Sequence, residues 1–234
     1  MKEAVRIGIL GGTLDPIHLG HIEAALAARE ALRLERVIIV PAQVPPHRSR
    51  PETSPFHRFA MAALAVNGVD GLCVSDLELR SPAPSYTADT LLRLQAEDGT
   101  QASQFFFIIG ADAFAEIETW NRYPEVLDLA NFVVVSRPGL SVSALRKRLP
   151  QLRDRMRLPI GRAAGAESGG RTLIFLVDAP TPDVSSTEIR RRITVGQSVS
   201  GLVAPAVEQH IQQHALYGQQ PPVIPTADHL HGQD

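Results

Sequence analysis

The chain has 234 residues, of which 44% are hydrophobic and 21% charged, with a formal net charge of −2 and a single cysteine. That length suits one compact domain able to bury a substantial core without covalent staples. Cys73 alone excludes an intramolecular disulfide framework or a multi-cysteine metal centre, a charge this close to neutral argues against a general nucleic-acid binder, and no run approaches the roughly 20 apolar residues of a membrane span.

In chain order, a Val/Ile-rich run predicts a strand at 6–10 and an amphipathic stretch predicts a helix at 18–34. The pattern repeats as a strand at 36–41 and a helix at 55–67, then a strand at 72–79 and a helix at 87–97. A strand at 104–109 and a helix at 124–129 follow, then a strand at 132–136, a helix at 142–149, a strand at 172–177 and helices at 186–193 and 205–215. Several strand runs are apolar at nearly every position, as strands covered on both faces are. The alternation predicts a Rossmann-like, doubly wound α/β fold: a mainly parallel sheet with helices on both faces.

Residues 1–217 are expected to form one domain, interrupted at 160–171 by a Gly/Ala-rich flexible connector without apolar periodicity. The polar, Pro-bearing stretch 218–234 reads as a disordered tail. The first residues run straight into a strand without a signal-peptide pattern, which together with the lone cysteine predicts a reduced, cytoplasmic setting. Cys73 lies in an expected strand and reads as an inert core residue. The Arg-rich stretch from Arg146 to Arg171 reads as solvated surface; the alternative, an RNA-tracking patch, would show steep salt dependence.

The densest chemistry falls where the first strand meets the first helix: Gly11-Gly12-Thr13-Leu14-Asp15-Pro16-Ile17-His18-Leu19-Gly20-His21. Paired glycines permit a tight turn and close approach of a ligand to the backbone. Pro16 stiffens the start of the helix, whose free N–H groups suit an anion. His18 and His21 stand three apart and share a helix face, so both imidazoles can donate hydrogen bonds to phosphate oxygens. Asp15 has no metal-ligand spacing and reads as a turn stabiliser. The turn lacks the Gly-Lys-Ser/Thr ending of a P-loop. It also lacks GxGxxG, and the second strand ends Val40-Pro41-Ala42-Gln43 with no carboxylate for a cofactor ribose, which argues against a redox dinucleotide.

A second cluster is Val184-Ser185-Ser186-Thr187-Glu188-Ile189-Arg190. Ser185 or Ser186 can cap a helix, with Glu188 placed to complete the capping arrangement. The hydroxyls, the free N–H groups and Arg190 one turn in make another phosphate cradle. His210 and His214 stand four apart on the last expected helix, but no third ligand is in view, so no metal site is expected.

The two clusters together resemble the nucleotidyltransferase superfamily that carries HxGH and SSTxxR motifs, and more narrowly the bacterial nicotinate-nucleotide adenylyltransferases. Pro45-Pro46-His47, Ser85-Tyr86-Thr87-Ala88-Asp89-Thr90-Leu91, Ile109-Gly110-Ala111-Asp112 with Trp120, and Ser136-Arg137-Pro138-Gly139 extend the likeness from Arg6 to Tyr217. Leu14 stands where the family usually has Phe, Arg48 where it has Lys, and Val184 where Ile is common. The resemblance implies transfer of AMP from ATP, with Mg²⁺ carried by the triphosphate, to the phosphate of nicotinate mononucleotide, giving deamido-NAD and pyrophosphate.

In that reading His18, His21 and Arg190 are catalytic, while Gly11, Gly12, Thr13, Gly110, Asp112, Ser186 and Thr187 bind ATP. His47, Tyr86, Thr87, Trp120 and Asn121 bind the acceptor, with Trp120 stacked on the pyridine ring. No nucleic-acid or membrane partner is expected, and oligomeric state, a homo-oligomer included, is left open. Two competing readings are the same chemistry on another acceptor, nicotinamide mononucleotide or phosphopantetheine, and a non-catalytic nucleotide-binding regulator. The latter would usually have lost one of His18, His21, Thr187 or Arg190.

Overall fold

The computed structural model describes residues 5–46, 51–136, 142–159 and 171–218. Among these, seven strands form one sheet: β1 Ile7–Gly12, β2 Arg36–Pro41, β3 Leu72–Val74, β4 Phe105–Gly110, β5 Asn131–Val135, β6 Met156–Arg157 and β7 Ile174–Val177. They lie in the order β3-β2-β1-β4-β5-β7-β6, and every pairing is parallel. The helices are α1 Leu19–Leu32, α2 Pro55–Val66, α3 Thr87–Asp98, α4 Ala111–Phe114, α5 Val142–Arg148, α6 Ser186–Thr194 and α7 Pro205–Gln213. This is the doubly wound α/β architecture expected from the strand–helix alternation.

The continuous apolar strands are explained by two cores, one on each face. Phe106 and Ile108 of β4 join α1, α2, α6 and α7 on one side. Phe105, Phe107 and Ile109 join α3, α4 and the α5 region on the other. Successive side chains alternate faces, so a strand buried on both carries no polar position. The strand order reverses between β1 and β4, and at such a switch point the loops after the two strands part to opposite faces and leave a crevice at their carboxyl ends.

Local sequence sets the helix starts. Ser54 accepts a hydrogen bond from the His57 N–H at 3.2 Å, with Pro55 at the first helical position of α2. Ser185 caps α6, accepting from the Glu188 N–H at 3.2 Å. Glu188 does not close a capping box. Its carboxylate takes bonds from Arg191 and Arg192, which hold it down at about 2.

Some expected boundaries move. The strand expected at 72–79 ends at Val74: the Ser75 hydroxyl turns the chain by accepting the Leu77 N–H at 3.2 Å, and a 3₁₀ turn follows at Glu78–Arg80. The helix expected at 124–129 is a single 3₁₀ turn, Glu125–Asp128. The two-residue β6 had no counterpart in the sequence reading, because pairing with β7, not length or pattern, defines it. Cys73, expected in the core, is exposed on edge strand β3. Its thiol is pushed up by partial burial, so it has no thiolate character. The connector at 160–171, Arg171 apart, and the tail at 219–234 lie outside the described residues, as do His47, Arg48 and Arg137-Pro138-Gly139.

Candidate active site

The carboxyl ends of β1 and β4 open into a cleft of about 910 Å³. Every site residue expected from the sequence, His47 apart, lines it. Gly11, Gly12 and Thr13 come from the end of β1, and His18 and His21 from the start of α1. Gly110 ends β4 and Asp112 lies in α4, with Trp120 and Asn121 in the turns beyond α4. Tyr86 and Thr87 open α3, and Ser186, Thr187 and Arg190 open α6. The helices α1, α3 and α6 therefore bring their N-terminal turns to one cavity, each a source of N–H donors and partial positive charge.

His18 is the N-cap of α1 and is 3% exposed. His21 folds back so that its Nδ1 accepts the His18 backbone N–H at 3.2 Å, with the two ring centroids 3.7 Å apart. An Nδ1 used as an acceptor leaves Nε2 to carry the proton in the neutral ring, so His21 is set as an Nε2–H donor. On α6, Ser186 donates to the Pro16 carbonyl at 2.9 Å, tying the second motif to the first across the sequence. Arg190 donates Nη1–H to the Asp15 carbonyl at 2.8 Å and Nε–H to the Glu52 carboxylate at 2.7 Å.

Trp120 is half-buried, its ring edge-on to Phe107 with centroids 6.2 Å apart at 84°. It belongs partly to the core under β4 and partly to the cleft wall. The Gln43 N–H donates to Ser85 Oγ at 2.9 Å, which fixes the approach to Tyr86 and Thr87.

Several residues that hold the site were missed or underread from sequence. Arg58 on α2 is 1% exposed and donates to the carbonyls of Thr13 at 2.8 Å and Gln43 at 3.2 Å, and also to Ala42. Burial lowers its pKa, while Asp15, Tyr217 and Glu78 oppose that shift; a guanidinium stays charged regardless. Its signal lay in the helix pattern, since Arg58 shares the buried face of Met61, Ala62 and Ala65. A charge on an apolar face needs a partner.

Asp15, 3% exposed, accepts the Glu52 N–H at 2.7 Å, the Thr53 hydroxyl at 2.6 Å and the Tyr217 hydroxyl at 2.7 Å. All three donors belong to other parts of the chain, so Asp15 ties its turn to distant segments and does not close the turn on itself. Glu78, also on the cleft wall, has its carboxyl pushed up by burial, against the opposing influence of Ser85, Thr90, Gln43 and Arg93; Thr90 donates its hydroxyl to Oε1 at 2.5 Å.

Away from the cleft, the structure places His57 beside His210 and His214. His57 Nδ1 is 3.1 Å from His210 Nε2, and the ring of His214 lies 4.4 Å from that of His210. Among the described residues, however, no group of three or more His, Cys, Asp or Glu is arranged to hold a metal ion. Nor is any helix there long and apolar enough to cross a membrane. In the Arg-rich stretch, Arg155 is buried against Asp128, Leu127 and Thr172, and Arg148 pairs with Glu116.

The cytidylyltransferase-like family profile matches residues 9–192. A probable nicotinate-nucleotide adenylyltransferase of Pseudomonas fluorescens is 39% identical over 215 residues, covering 91% of this chain and 97% of the relative. One from Pectobacterium atrosepticum is 39% identical over 207 residues, covering 88% and 96%. Among solved structures, a Plasmodium falciparum nicotinic acid mononucleotide adenylyltransferase complexed with NaAD superposes with a TM-score of 0.69 at 18% identity, covering 92% of this chain and 98% of that one. At that identity the match speaks to the fold.

Proposed function

The chain belongs to the nicotinate-nucleotide adenylyltransferase family, and from that premise we propose how its own residues transfer AMP from ATP to the phosphate of nicotinate mononucleotide. A phosphate oxygen of the mononucleotide attacks the α-phosphorus of ATP. The bond from that phosphorus to the α,β-bridging oxygen breaks as the new bond forms, pyrophosphate leaves, and deamido-NAD results. The nucleophile is a phosphate monoester, already mostly ionised at neutral pH because its second pKa is about 6. The protein therefore needs neither a covalent nucleophile nor a strong base. Its work is to align two anions and to stabilise charge developing on the α-phosphate and the leaving group.

One observation carries this division of labour. Two phosphate motifs separated by more than 160 positions meet at one cleft, where Ser186 and Arg190 bond to the backbone of the Asp15-Pro16 turn. In the proposal, Gly11, Gly12 and Thr13 cradle the α-phosphate with their backbone. His21 donates Nε2–H to the α-phosphate as it becomes five-coordinate, and His18 serves the α/β region. Ser186, Thr187 and Arg190 face the β- and γ-phosphates. Gly110 and Asp112 lie on the adenosine side, Asp112 toward a ribose hydroxyl.

On the acceptor side Trp120 stacks on the pyridine, Tyr86, Thr87 and Asn121 serve its carboxylate, and His47 serves the acceptor phosphate. Mg²⁺ arrives with the triphosphate and neutralises part of its charge, retaining waters as that ion does. Residues 1–217 act as one nucleotidyltransferase domain in the cytoplasm, where its nucleotide substrates are soluble.

The test is product analysis with purified protein, ATP and Mg²⁺, comparing nicotinate mononucleotide, nicotinamide mononucleotide and phosphopantetheine. Deamido-NAD and pyrophosphate forming fastest from the first acceptor is the expected result. Preference for another acceptor would overturn the roles given to Trp120, Tyr86, Thr87 and Asn121 while sparing the phosphate site. Binding of ATP without product from any acceptor would favour a regulator.

A further inference from the structure

We propose that Tyr217 is a positioning residue for the transfer reaction, acting through Asp15 on the phosphate-binding turn and on Arg190. The proposal rests on the reading of that turn and Arg190 as the triphosphate site, and assigns the end of the described chain a part in it.

Tyr217 lies 202 positions from Asp15, yet its hydroxyl donates to Asp15 Oδ1 at 2.7 Å in a buried contact. Thr53 Oγ1 donates to the same oxygen at 2.6 Å, and the Glu52 N–H to Oδ2 at 2.7 Å. Both tethers of Arg190 involve Asp15, one through its backbone and one through its carboxyl. The Asp15 carbonyl takes Nη1–H of Arg190 directly at 2.8 Å. Glu52, whose backbone Asp15 holds, takes Nε–H at 2.7 Å. Loosening the carboxyl hub frees the Glu52 tether and the turn that carries the Asp15 carbonyl, so the arginine keeps its charge but is held less firmly.

Backbone conformation supplies a second, independent observation. Leu14, immediately before Asp15, has φ 53°, and Tyr217 has φ 63° and ψ 34°. Neither is glycine, and the left-handed region costs such residues free energy. Conformations like these persist where surrounding contacts over-determine them. The Asp15–Tyr217 bond joins the two strained segments, one on each side. Packing alone does not require this of Tyr217, because its ring would be buried against the α6–α7 core with or without a polar end. The hydroxyl remains a donor throughout the working pH range, since burial and the neighbouring Asp15 push the phenol far above its ordinary value.

The experiment compares Tyr217→Phe, Thr53→Val and the double variant with the wild-type protein, each assayed well below its own melting midpoint. Tyr217→Phe keeps the ring and removes one donor. The expected result is a fall in kcat/KM for ATP of about 10- to 100-fold, the scale for a reacting group misplaced by a fraction of an ångström to an ångström, with the acceptor KM unchanged. Thr53→Val removes a donor to the same oxygen and should give the same pattern, with the double variant little slower than the worse single one. If Tyr217→Phe does not fold, Thr53→Val carries the test of the hub.

A lowered melting midpoint with wild-type kinetics would overturn the proposal and leave Tyr217 a packing residue. Multiplicative losses in the double variant would overturn the shared route through Asp15. Failure of the wild-type protein to form product would instead overturn the functional reading beneath it.

Discussion

Replacing Gly20 with alanine should lower activity through the His18 ring at a modest net cost in stability. Gly20 separates the two histidines in the second position of α1, and a Cβ built there would lie 3.1 Å from His18 Nδ1, 3.2 Å from His18 Cε1 and 3.1 Å from Val184 Cγ1. These separations are tighter than ordinary van der Waals contact, so the neighbours must give by a few tenths of an ångström. Val184 and the His18 ring are both buried and both line the cleft, so the shift falls on the two of them.

A displacement of the His18 ring on that scale should lower kcat by up to about 10-fold, since misplacement by about 1 Å costs about 100-fold. The net loss of stability should be about 0–2 kcal/mol, because a gain of up to about 1 kcal/mol from replacing glycine in a helix offsets part of an overpacking cost of about 1–3 kcal/mol. Pyrophosphate release at saturating substrates measures the first quantity and thermal unfolding the second. Gly8→Ala is the comparison: its Cβ would meet Val37 Cγ2 at 2.8 Å, Leu34 Cδ1 at 2.9 Å and Ile108 Cδ1 at 3.2 Å, in the core beneath β1 and touching none of the phosphate-binding residues. It should lose stability with kcat intact below its midpoint. Wild-type kcat in Gly20→Ala would refute the account of why this position is glycine.

Three further outcomes are expected. Arg58→Met strands carbonyls of Thr13, Ala42 and Gln43 at about 1–3 kcal/mol for each group left unsatisfied, so urea unfolding should show a loss of about 3 kcal/mol or more; a loss within experimental error would mean the turns hold themselves. Trp120→Ala should raise the acceptor KM and leave that for ATP unchanged, and equal rises in both would dismiss stacking.

The third concerns pH. The pKa values of His57 and His210 are lowered from 6.5, first by burial and then by the neighbouring imidazoles, His214 for both and His57 for His210. Folding therefore favours their neutral forms. Above the unfolded value both states are neutral and nothing is lost. As pH falls through about 6.5 and on below the lowered folded values, the unfolded chain binds protons more readily and stability declines. The melting midpoint should drop over that interval, and less steeply in the His57→Gln/His210→Gln variant; an unchanged slope would remove the cluster from the acid response.

Much of the candidate site was legible because its signals are local. Gly11-Gly12 through His21 is a turn and a helix start whose geometry depends on residues a few positions apart, and Ser185 to Arg190 is another. The strands were legible because burial on both faces leaves Phe105–Ile109 no polar position to disguise them. What the sequence alone determined was therefore the element pattern, the α/β class and the chemical kinds of group offered at two helix N-termini.

The tertiary structure decided what holds those groups in place. Arg58 binds carbonyls of β1 and β2 turns from α2, Asp15 collects donors from Glu52, Thr53 and Tyr217, and Arg190 is aimed by the first motif from within the second. Likewise β6 exists only as a partner of β7. The physical reason is common to all of these. A buried polar group must be satisfied, but any donor of the right type within about 3 Å will serve, and sequence separation places no limit on where in the chain that donor comes from.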